Sequence, residues 1–399
     1  MRPKHLGILT GGGDVPGLNA AIQAVYRAAG RHGWIRAGSR EANVTGILRG
    51  WRGAVHMEKP GPGGESAYLV PLTDAIVRHI DLAGGTFLHS SRVRPDRMKL
   101  KDLPPRLQQR KDDLPRVDGK EEVFDAVDEV IRNLQECGID CLVAIGGDDT
   151  LGSAYRLQSR GFPVVGIPKT MDNDVQGSEY AIGFKTALTR AEDFINRHRT
   201  TLGSHDLVGV FRIFGRDAGF TSLGTAMAVS DVRCAIPEHP FDLEALCDLV
   251  KKDYQDGDAR TALVLCSEGA IWQGGKLEEY GPADAYGHRK KVNVGEALAE
   301  AITRETKLPT RAQDITYDLR SGPPDALDKM VANTFGTLAV DLIAQGKTGQ
   351  MLCIQNGRYN HVPLPDPGRG PRKVDVTTLY DTEQFRPKLS GLLGRPIFF

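Results

Sequence analysis

Residues 144–183 read AIGGDDTLGSAYRLQSRGFPVVGIPKTMDNDVQGSEYAIG. Two apolar runs in this stretch each end in a polar turn. Residues 141–145 run into Gly146-Gly147-Asp148-Asp149-Thr150, and residues 163–167 run into Pro168-Lys169-Thr170-Met171-Asp172-Asn173-Asp174. Between them, residues 151–160 suit one helix. The right-handed crossover rule makes the two strands of such a unit parallel neighbours. Both polar turns then leave the carboxyl edge of one sheet, where open α/β folds bind ligands. The turns carry four carboxylates (Asp148, Asp149, Asp172 and Asp174), two threonines and a lysine. That set suits a metal–phosphate site with a base beside it.

Working outward, residues 4–9 form a short apolar strand that ends in Thr10-Gly11-Gly12-Gly13-Asp14-Val15-Pro16-Gly17, and residues 18–31 read as a helix. Asn19, Ala20, Ile22, Val25 and Ala28 give that helix a small, tight face against a sheet. A glycine turn between strand and helix exposes backbone N–H groups, and the helix start adds partial positive charge, so phosphate is its natural ligand. Residues 68–71 suit a strand, residues 61–64 a loop and residues 74–83 a helix. The run Gly84-Gly85-Thr86-Phe87-Leu88-His89-Ser90-Ser91-Arg92 makes a turn that ends on an arginine, whose planar donors grip two phosphoryl oxygens at once. Residues 93–119, rich in Lys, Arg, Asp and Pro, read as a solvated surface excursion. Residues 121–137 read as a helix with Val123, Val127, Val130, Ile131 and Leu134 on one face and Gly138 just past its end.

Downstream, residues 184–200, 220–229, 243–254, 293–305 and 325–345 read as helices. Residues 206–214, 232–236, 261–266, 311–319 and 350–355 read as strands. Asp242 can cap the helix that follows it. Alternating strand and helix predicts α/β architecture with two parallel layers. The tail after Asn360, with several prolines and arginines, either wraps the body or extends it.

Composition narrows the function. The 399-residue chain carries 51 Lys+Arg and 51 Asp+Glu, a formal net charge of zero, which argues against nucleic acid or a membrane surface as a bulk partner. The six cysteines form no Cys-x-x-Cys pair. Buried free thiols in a reducing cytoplasm are expected, not a zinc site. No secretion signal and no membrane-spanning run is expected.

In order and spacing, these motifs resemble the phosphofructokinases over nearly the whole chain. The resemblance rests on Thr10–Gly17 with Asn19-Ala20-Ala21, Gly84-Gly85-Thr86-Phe87-Leu88 with Ser91-Arg92, Ile145-Gly146-Gly147-Asp148, and Thr170-Met171-Asp172-Asn173-Asp174. It continues through Gly183-Phe184, Phe214-Gly215-Arg216, Pro237-Glu238 and Arg320. It implies two Rossmann-like parallel-sheet α/β domains with the active site in the cleft between them. Residues 1–183 plus about 319–360 would bind the phosphoryl donor, residues 184–318 the sugar, and residues 361–399 would be an extension packed on the body.

The resemblance also implies roles. The family transfers a phosphoryl group to the C1 hydroxyl of fructose 6-phosphate. Asp172 matches the catalytic base, and Asp148 the aspartate linked to Mg²⁺. Asp174 matches an acid that orders base and metal, and Thr170 the hydroxyl that binds the transferring group. Gly11, Gly12, Gly13 and Arg92 fall on the donor side. Phe214, Gly215 and Arg216 lie near phosphoryl group and sugar, with Arg216 catalytic. Glu238 matches a residue that holds the sugar hydroxyls. Arg311 and Arg320 match arginines that bind the sugar phosphate, the first normally reaching across from a neighbouring subunit, so a homodimer or homotetramer is expected. Tyr317 stands where many ATP-using members have a histidine, and its hydroxyl can still donate. Leu207 replaces an arginine that often crosses the subunit interface, and Gln23 replaces one of two arginines for allosteric phosphates, although Arg27 remains.

The phosphoryl donor is decided by two departures. ATP-using members carry Gly-Gly-Asp-Gly, whereas this chain has Gly-Gly-Asp148-Asp149. A carboxylate there adds bulk and negative charge where a nucleotide α-phosphate would lie. Two unit charges about 4 Å apart repel by roughly 4 kcal/mol at an effective dielectric near 20. Lys169, before Thr170, places an ammonium where bacterial ATP enzymes have glycine. Asp149 and Lys169 together resemble the pyrophosphate-dependent branch. The expected reaction is reversible transfer from MgPPi to fructose 6-phosphate, giving fructose 1,6-bisphosphate and phosphate. The alternatives are an ATP-dependent 6-phosphofructokinase and a non-catalytic sugar-phosphate-binding subunit.

Overall fold

The computed structural model describes residues 3, 5–35, 43–59, 66–117, 122–256, 260–273, 279–280, 290–291 and 293–396. The chain divides into two compact units. Met1–Thr170, Val175–Gly183 and Gly322–Gly370 make the first; Met171–Asp174, Phe184–Ser321 and Pro371–Phe399 make the second.

The first unit is built on a seven-stranded sheet in the order Arg358–Pro363, Gln350–Gln355, Val164–Pro168, Cys141–Gly146, Leu6–Thr10, Val44–Ile47, Leu69–Pro71. The inner five strands are parallel and the two outermost antiparallel to their neighbours. Strands buried on both faces need continuous apolar runs, and Cys141–Gly146 and Val164–Pro168 are buried throughout. Thr10 is in register with Ile145, and Gly146 with Pro168. The turns after these three strands therefore leave one sheet edge together.

Helix Leu18–Arg31 packs its small residues against helix Ala326–Ala344: a Cβ on Gly336 would lie 2.7 Å from the Ala21 carbonyl. Gln23, buried in that helix, donates to the carbonyls of Val77 and Arg78. In the same unit the fully buried Asp328 accepts from the Tyr180 hydroxyl at 2.7 Å and the Gly183 amide at 2.8 Å, pinning the end of the 144–183 stretch. Removing that acceptor strands two buried donors. Asp328→Ala is expected to lower unfolding free energy by about 2–4 kcal/mol, seen as an earlier urea midpoint at unchanged slope.

The second unit holds a four-stranded, all-parallel sheet in the order Thr310–Ile315, Val208–Ile213, Ala262–Ser267, Arg233–Ala235. Ile213, Ser267 and Ile315 align at its carboxyl edge, so the turns at 214–217 and 316–320 emerge side by side. Asp242 caps helix Leu243–Asp256 as its position predicts, accepting from the amides of Glu244 and Ala245.

Several local expectations are corrected. The helix expected at 121–137 spans only Val127–Glu136; Val123–Phe124 is a strand paired with Met98–Lys99, and residue 121 lies outside the described residues. The helix expected at 74–83 is one turn, Asp74–Val77, followed by a 3-10 turn at Ile80–Leu82. Strand Val44–Ile47 and helix Gly50–His56 went unread, while the loop expected at 61–64 lies outside the described residues. The segment 93–117 is no solvated excursion: Met98, Leu103, Leu107 and Leu114 are buried in the first unit's core. Residues 118–119 of that segment lie outside the described residues. The strand expected at 311–319 stops at Ile315, and Tyr317–Arg320 is a short helix. The tail after residue 360 is shared between the two units. Residues up to Gly370 belong to the first unit and Pro371 onward to the second, with Val374, Tyr380 and Phe385 buried.

Candidate active site

The residues expected on the donor side lie at the carboxyl edge of the first unit's sheet. The chain turns directly from strand into helix Asp148–Ser159, so Asp148 and Asp149 occupy its first turn rather than a loop before it. Carboxylates are favourable there because they face the positive end of the helix dipole. Asp148 is half-buried, with its Oδ1 sealed from solvent. Asp149 meets the guanidinium of Arg94, whose Nη1 lies 3.2 Å from Asp149 Oδ1. Arg94 also grips the buried Asp96, through Nε at 3.3 Å and Nη2 at 2.9 Å. Asp149 is thus not a bare charge: two carboxylates share one guanidinium.

Lys169 is buried against the glycine turn, its ammonium donating to the Gly13 carbonyl at 2.6 Å. Gly12 has φ +80°, and a Cβ there would come within 3.3 Å of Lys169 Nζ, so glycine lets the cation and the turn approach closely. The turn itself departs from expectation. The Gly11 amide donates to the Ile145 carbonyl and the Gly12 amide to the Ser91 carbonyl, both at 3.0 Å. These two N–H groups hold the turn together, and Lys169 supplies the positive charge beside it. The Thr170 amide donates a hydrogen bond to the Ile182 carbonyl at 3.2 Å, and Arg92 is exposed.

After Thr170 the chain enters the second unit, where Met171–Asp174 carries the remaining acids. Asp172 has one carboxylate oxygen sealed from solvent. Burial pushes its carboxyl up, to about 8; the charges of Asp174, Glu268 and Asp217 add to the rise, and Arg320 opposes it. A carboxylate whose proton affinity lies near the working pH suits a general base. Asn173 is buried at φ +53°, a left-handed conformation asparagine tolerates, and turns the chain between the two acids.

At the sheet edge of this unit, Gly215 takes φ +130° and brings Phe214 and Arg216 round a turn braced by the Gly269 amide. Arg320 stacks its guanidinium 4.6 Å over the Phe214 ring. Both Glu238 oxygens accept from the Gly219 amide, and Oε1 also accepts from the Val374 amide at 2.9 Å. Arg311 and Tyr317 are exposed, with Arg311 donating to its neighbour's carbonyl at Thr310. The structure thus groups Asp149, Lys169 and Gly11–Gly13 in one unit and Asp172, Asp174 and Arg320 in the other, while Arg311 and Tyr317 face solvent.

Two arginines were missed. Arg94 sits in the segment read as solvated, and Arg372 sits in the tail; Arg372 donates to the carbonyls of Asn173 and Asp174. Neither lies in a periodic or glycine-rich pattern that marks it out. Charge balance gives Arg94 a measurable role. Arg94→Gln leaves Asp149 unbalanced and is expected to raise the KM for the phosphoryl donor about 3- to 10-fold, since a half-exposed ion pair contributes ~1 kcal/mol. Initial rates with each substrate varied in turn check this, and the sugar KM is expected to hold.

A metal has a plausible donor set here. Among the described residues no three His, Cys, Asp or Glu side chains gather into a cage. Mg²⁺ on phosphoryl substrates takes one or two carboxylates and completes its shell with phosphate oxygens and water. Asp148, in the first turn of its helix beside Asp149, fits that pattern.

Comparison with known proteins identifies the family. The phosphofructokinase family model matches residues 5–343. A pyrophosphate–fructose 6-phosphate 1-phosphotransferase of Thermoproteus tenax is 34% identical over 388 residues, covering 97% of this chain and 99% of its own. An ATP-dependent 6-phosphofructokinase of Mycobacterium leprae is 31% identical over 382 residues, covering 96% of this chain and 99% of its own. The crystal structure of a pyrophosphate-dependent phosphofructokinase from Marinobacter aquaeolei aligns with TM-score 0.73 over 97% of this chain and 90% of its own, at 18% identity, a likeness of fold. The chain belongs to the phosphofructokinase family.

Proposed function

We propose that the protein is a pyrophosphate-dependent 6-phosphofructokinase, moving a phosphoryl group reversibly between pyrophosphate and the C1 hydroxyl of fructose 6-phosphate. The observation that carries the donor assignment is the pairing of Asp149, in the first turn of its helix, with Lys169, buried against the glycine turn. An acid at the former position disfavours a third phosphate, and an ammonium at the latter compensates a short, highly charged donor.

In this mechanism Asp172 takes the proton of the C1 hydroxyl as its oxygen bonds to the terminal phosphorus. The bridging P–O bond breaks, and inorganic phosphate leaves. Thr170 and Arg216 orient the transferring group, and Lys169 and Arg92 balance its charge. Glu238 holds sugar hydroxyls, and Arg311, Tyr317 and Arg320 hold the 6-phosphate. Asp174 orders the base. Asp148 would hold Mg²⁺, which neutralises phosphate charge when bound. The bond broken resembles the ester formed in energy, so glycolytic and gluconeogenic directions are both open. On this reading the enzyme works in the cytoplasm as a homodimer or homotetramer. Six unpaired thiols and the exposed Arg311, available to a neighbouring subunit's sugar, support that.

The ATP-dependent reading keeps two supports: the similarity to the ATP-dependent Mycobacterium leprae enzyme, and the Arg94–Asp149 ion pair, which offsets part of the repulsion toward a nucleotide. The reverse reaction separates the two. Fructose 1,6-bisphosphate with inorganic phosphate and Mg²⁺ is expected to release fructose 6-phosphate and pyrophosphate without any nucleotide. Release that depends on ADP would reject the pyrophosphate assignment.

A further inference from the structure

The loop Met171–Asp174 carries the proposed base, yet nothing regular holds it. It belongs to no strand or helix, and Asn173 sits in the left-handed region. Such a loop keeps one geometry only if its surroundings impose it. Its carbonyls show what does. Thr221 Oγ1 donates to the Met171 carbonyl at 2.8 Å. Arg372 donates twice: its backbone amide to the Asp174 carbonyl and its Nη2 to the Asn173 carbonyl, both at 2.6 Å. The same guanidinium lies 4.2 Å over the ring of Phe220, next to Thr221. Two residues on, the Val374 amide donates to Glu238 Oε1 at 2.9 Å. The segment 372–374, nearly 200 residues after the base loop in sequence, therefore ties that loop to the acid assigned to the sugar hydroxyls.

We propose that this C-terminal segment is a working part of the acceptor site and that Arg372 is a positioning residue for Asp172. The proposal rests on the reading of Asp172 as base. Through its backbone amide and its guanidinium, Arg372 fixes the two carbonyls immediately following the base, and so fixes where the carboxylate can point. One charge-assisted bond to the Asn173 carbonyl, with the cation stacked on an aromatic face and the Arg372 backbone N–H donating to the Asp174 carbonyl, resists rotation of the loop better than one neutral hydrogen bond does.

The test compares Arg372→Met, Arg372→Lys, Lys388→Met and Asp172→Asn in the full-length chain. Arg372→Met keeps contact with Phe220 but loses the Asn173 bond, and its kcat is expected to fall about 10- to 100-fold, the range produced by a displacement of order 1 Å at a reacting group. The donor KM is expected to stay within about 2-fold, and Tm within about 4 °C. Arg372→Lys restores part of kcat, because an ammonium still reaches one carbonyl. Lys388→Met removes a tail hydrogen bond to the Thr377 carbonyl, remote from the loop, and keeps kcat. A wild-type kcat in Arg372→Met overturns the proposal, as does an equal loss in Lys388→Met, which would mean general loosening of the tail. Asp172→Asn separates the levels. If it is inactive while Arg372→Met is fully active, only the positioning role fails. If it turns over at the wild-type rate, the base assignment fails and the proposal with it.

Discussion

Replacing Asp172 by serine is expected to cut kcat about 10²–10⁴-fold, the contribution typical of a positioned general base, without loss of folding. The pH dependence should change with it. In the proposed mechanism the base must be ionised to accept the C1 proton, so the forward rate is expected to rise with pH through the Asp172 pKa. Burial and the neighbouring acids raise that pKa to about 8, far above the ordinary carboxylate range. In the reverse direction the same group must be protonated, so that rate falls as pH rises through the same value. Two opposed limbs that both vanish in Asp172→Ser identify the residue as the proton carrier. Identical limbs in the variant and the wild type would assign them to another group.

Stability carries the same signature with a defined sign. Between the ordinary aspartate value of 3.8 and about 8, the folded chain holds a proton on Asp172 that the unfolded chain has released. Unfolding then releases a proton, so stability falls as pH rises through that window and levels off above it. Asp172→Ser removes the slope. At alkaline pH the inactive variant is expected to be more stable than the wild type, the pattern of a group kept for catalysis at a cost in stability. Urea denaturation of both proteins at acid and alkaline pH measures it.

Replacing Asp149 by glycine is expected to raise kcat/KM for ATP about 10- to 1,000-fold, an estimate bounded above by the repulsion of two close charges and below by screening in water. Screening matters because the Asp149 side chain is 37% exposed and paired with Arg94. The substitution acts twice: it removes a carboxylate and turns one arm of Arg94 toward the donor. Its companion is Lys169, whose ammonium is fixed on the Gly13 carbonyl. A nucleotide needs room there, so the combined variant Asp149→Gly, Lys169→Gly is expected to use ATP better than Asp149→Gly alone and pyrophosphate worse than the wild type. No gain in ATP use by either variant would remove both bulk and charge at these positions as the cause of donor choice.

The central crossover was legible because its strands are buried on both faces and so lack polar interruptions, as in Cys141–Gly146 and Val164–Pro168. The start of the helix between them was misread by three residues. Asp148 and Asp149 look like turn residues, yet they are equally at home in a first turn, where the dipole favours them. Val123–Phe124 was lost to a helical pattern because its strand partner, Met98–Lys99, lies in a distant segment with no period of its own. In that segment short 3-10 turns and a five-residue helix bury Leu103 and Leu107 at spacings that match neither strand nor long helix. The candidate site follows the whole motifs that the resemblance marked, as at Asp148, Asp172 and Arg216, whose roles remain proposals. It was not legible at Arg94 or Arg372, single arginines whose meaning depends on what folding brings beside them.

The most direct measurement is a paired steady-state assay of one enzyme preparation, with fructose 6-phosphate saturating and either MgPPi or MgATP varied. The account predicts a kcat/KM for pyrophosphate about 100-fold or more above that for ATP, given an acid at the third-phosphate position. Equal use of both donors, or a preference for ATP, would contradict it.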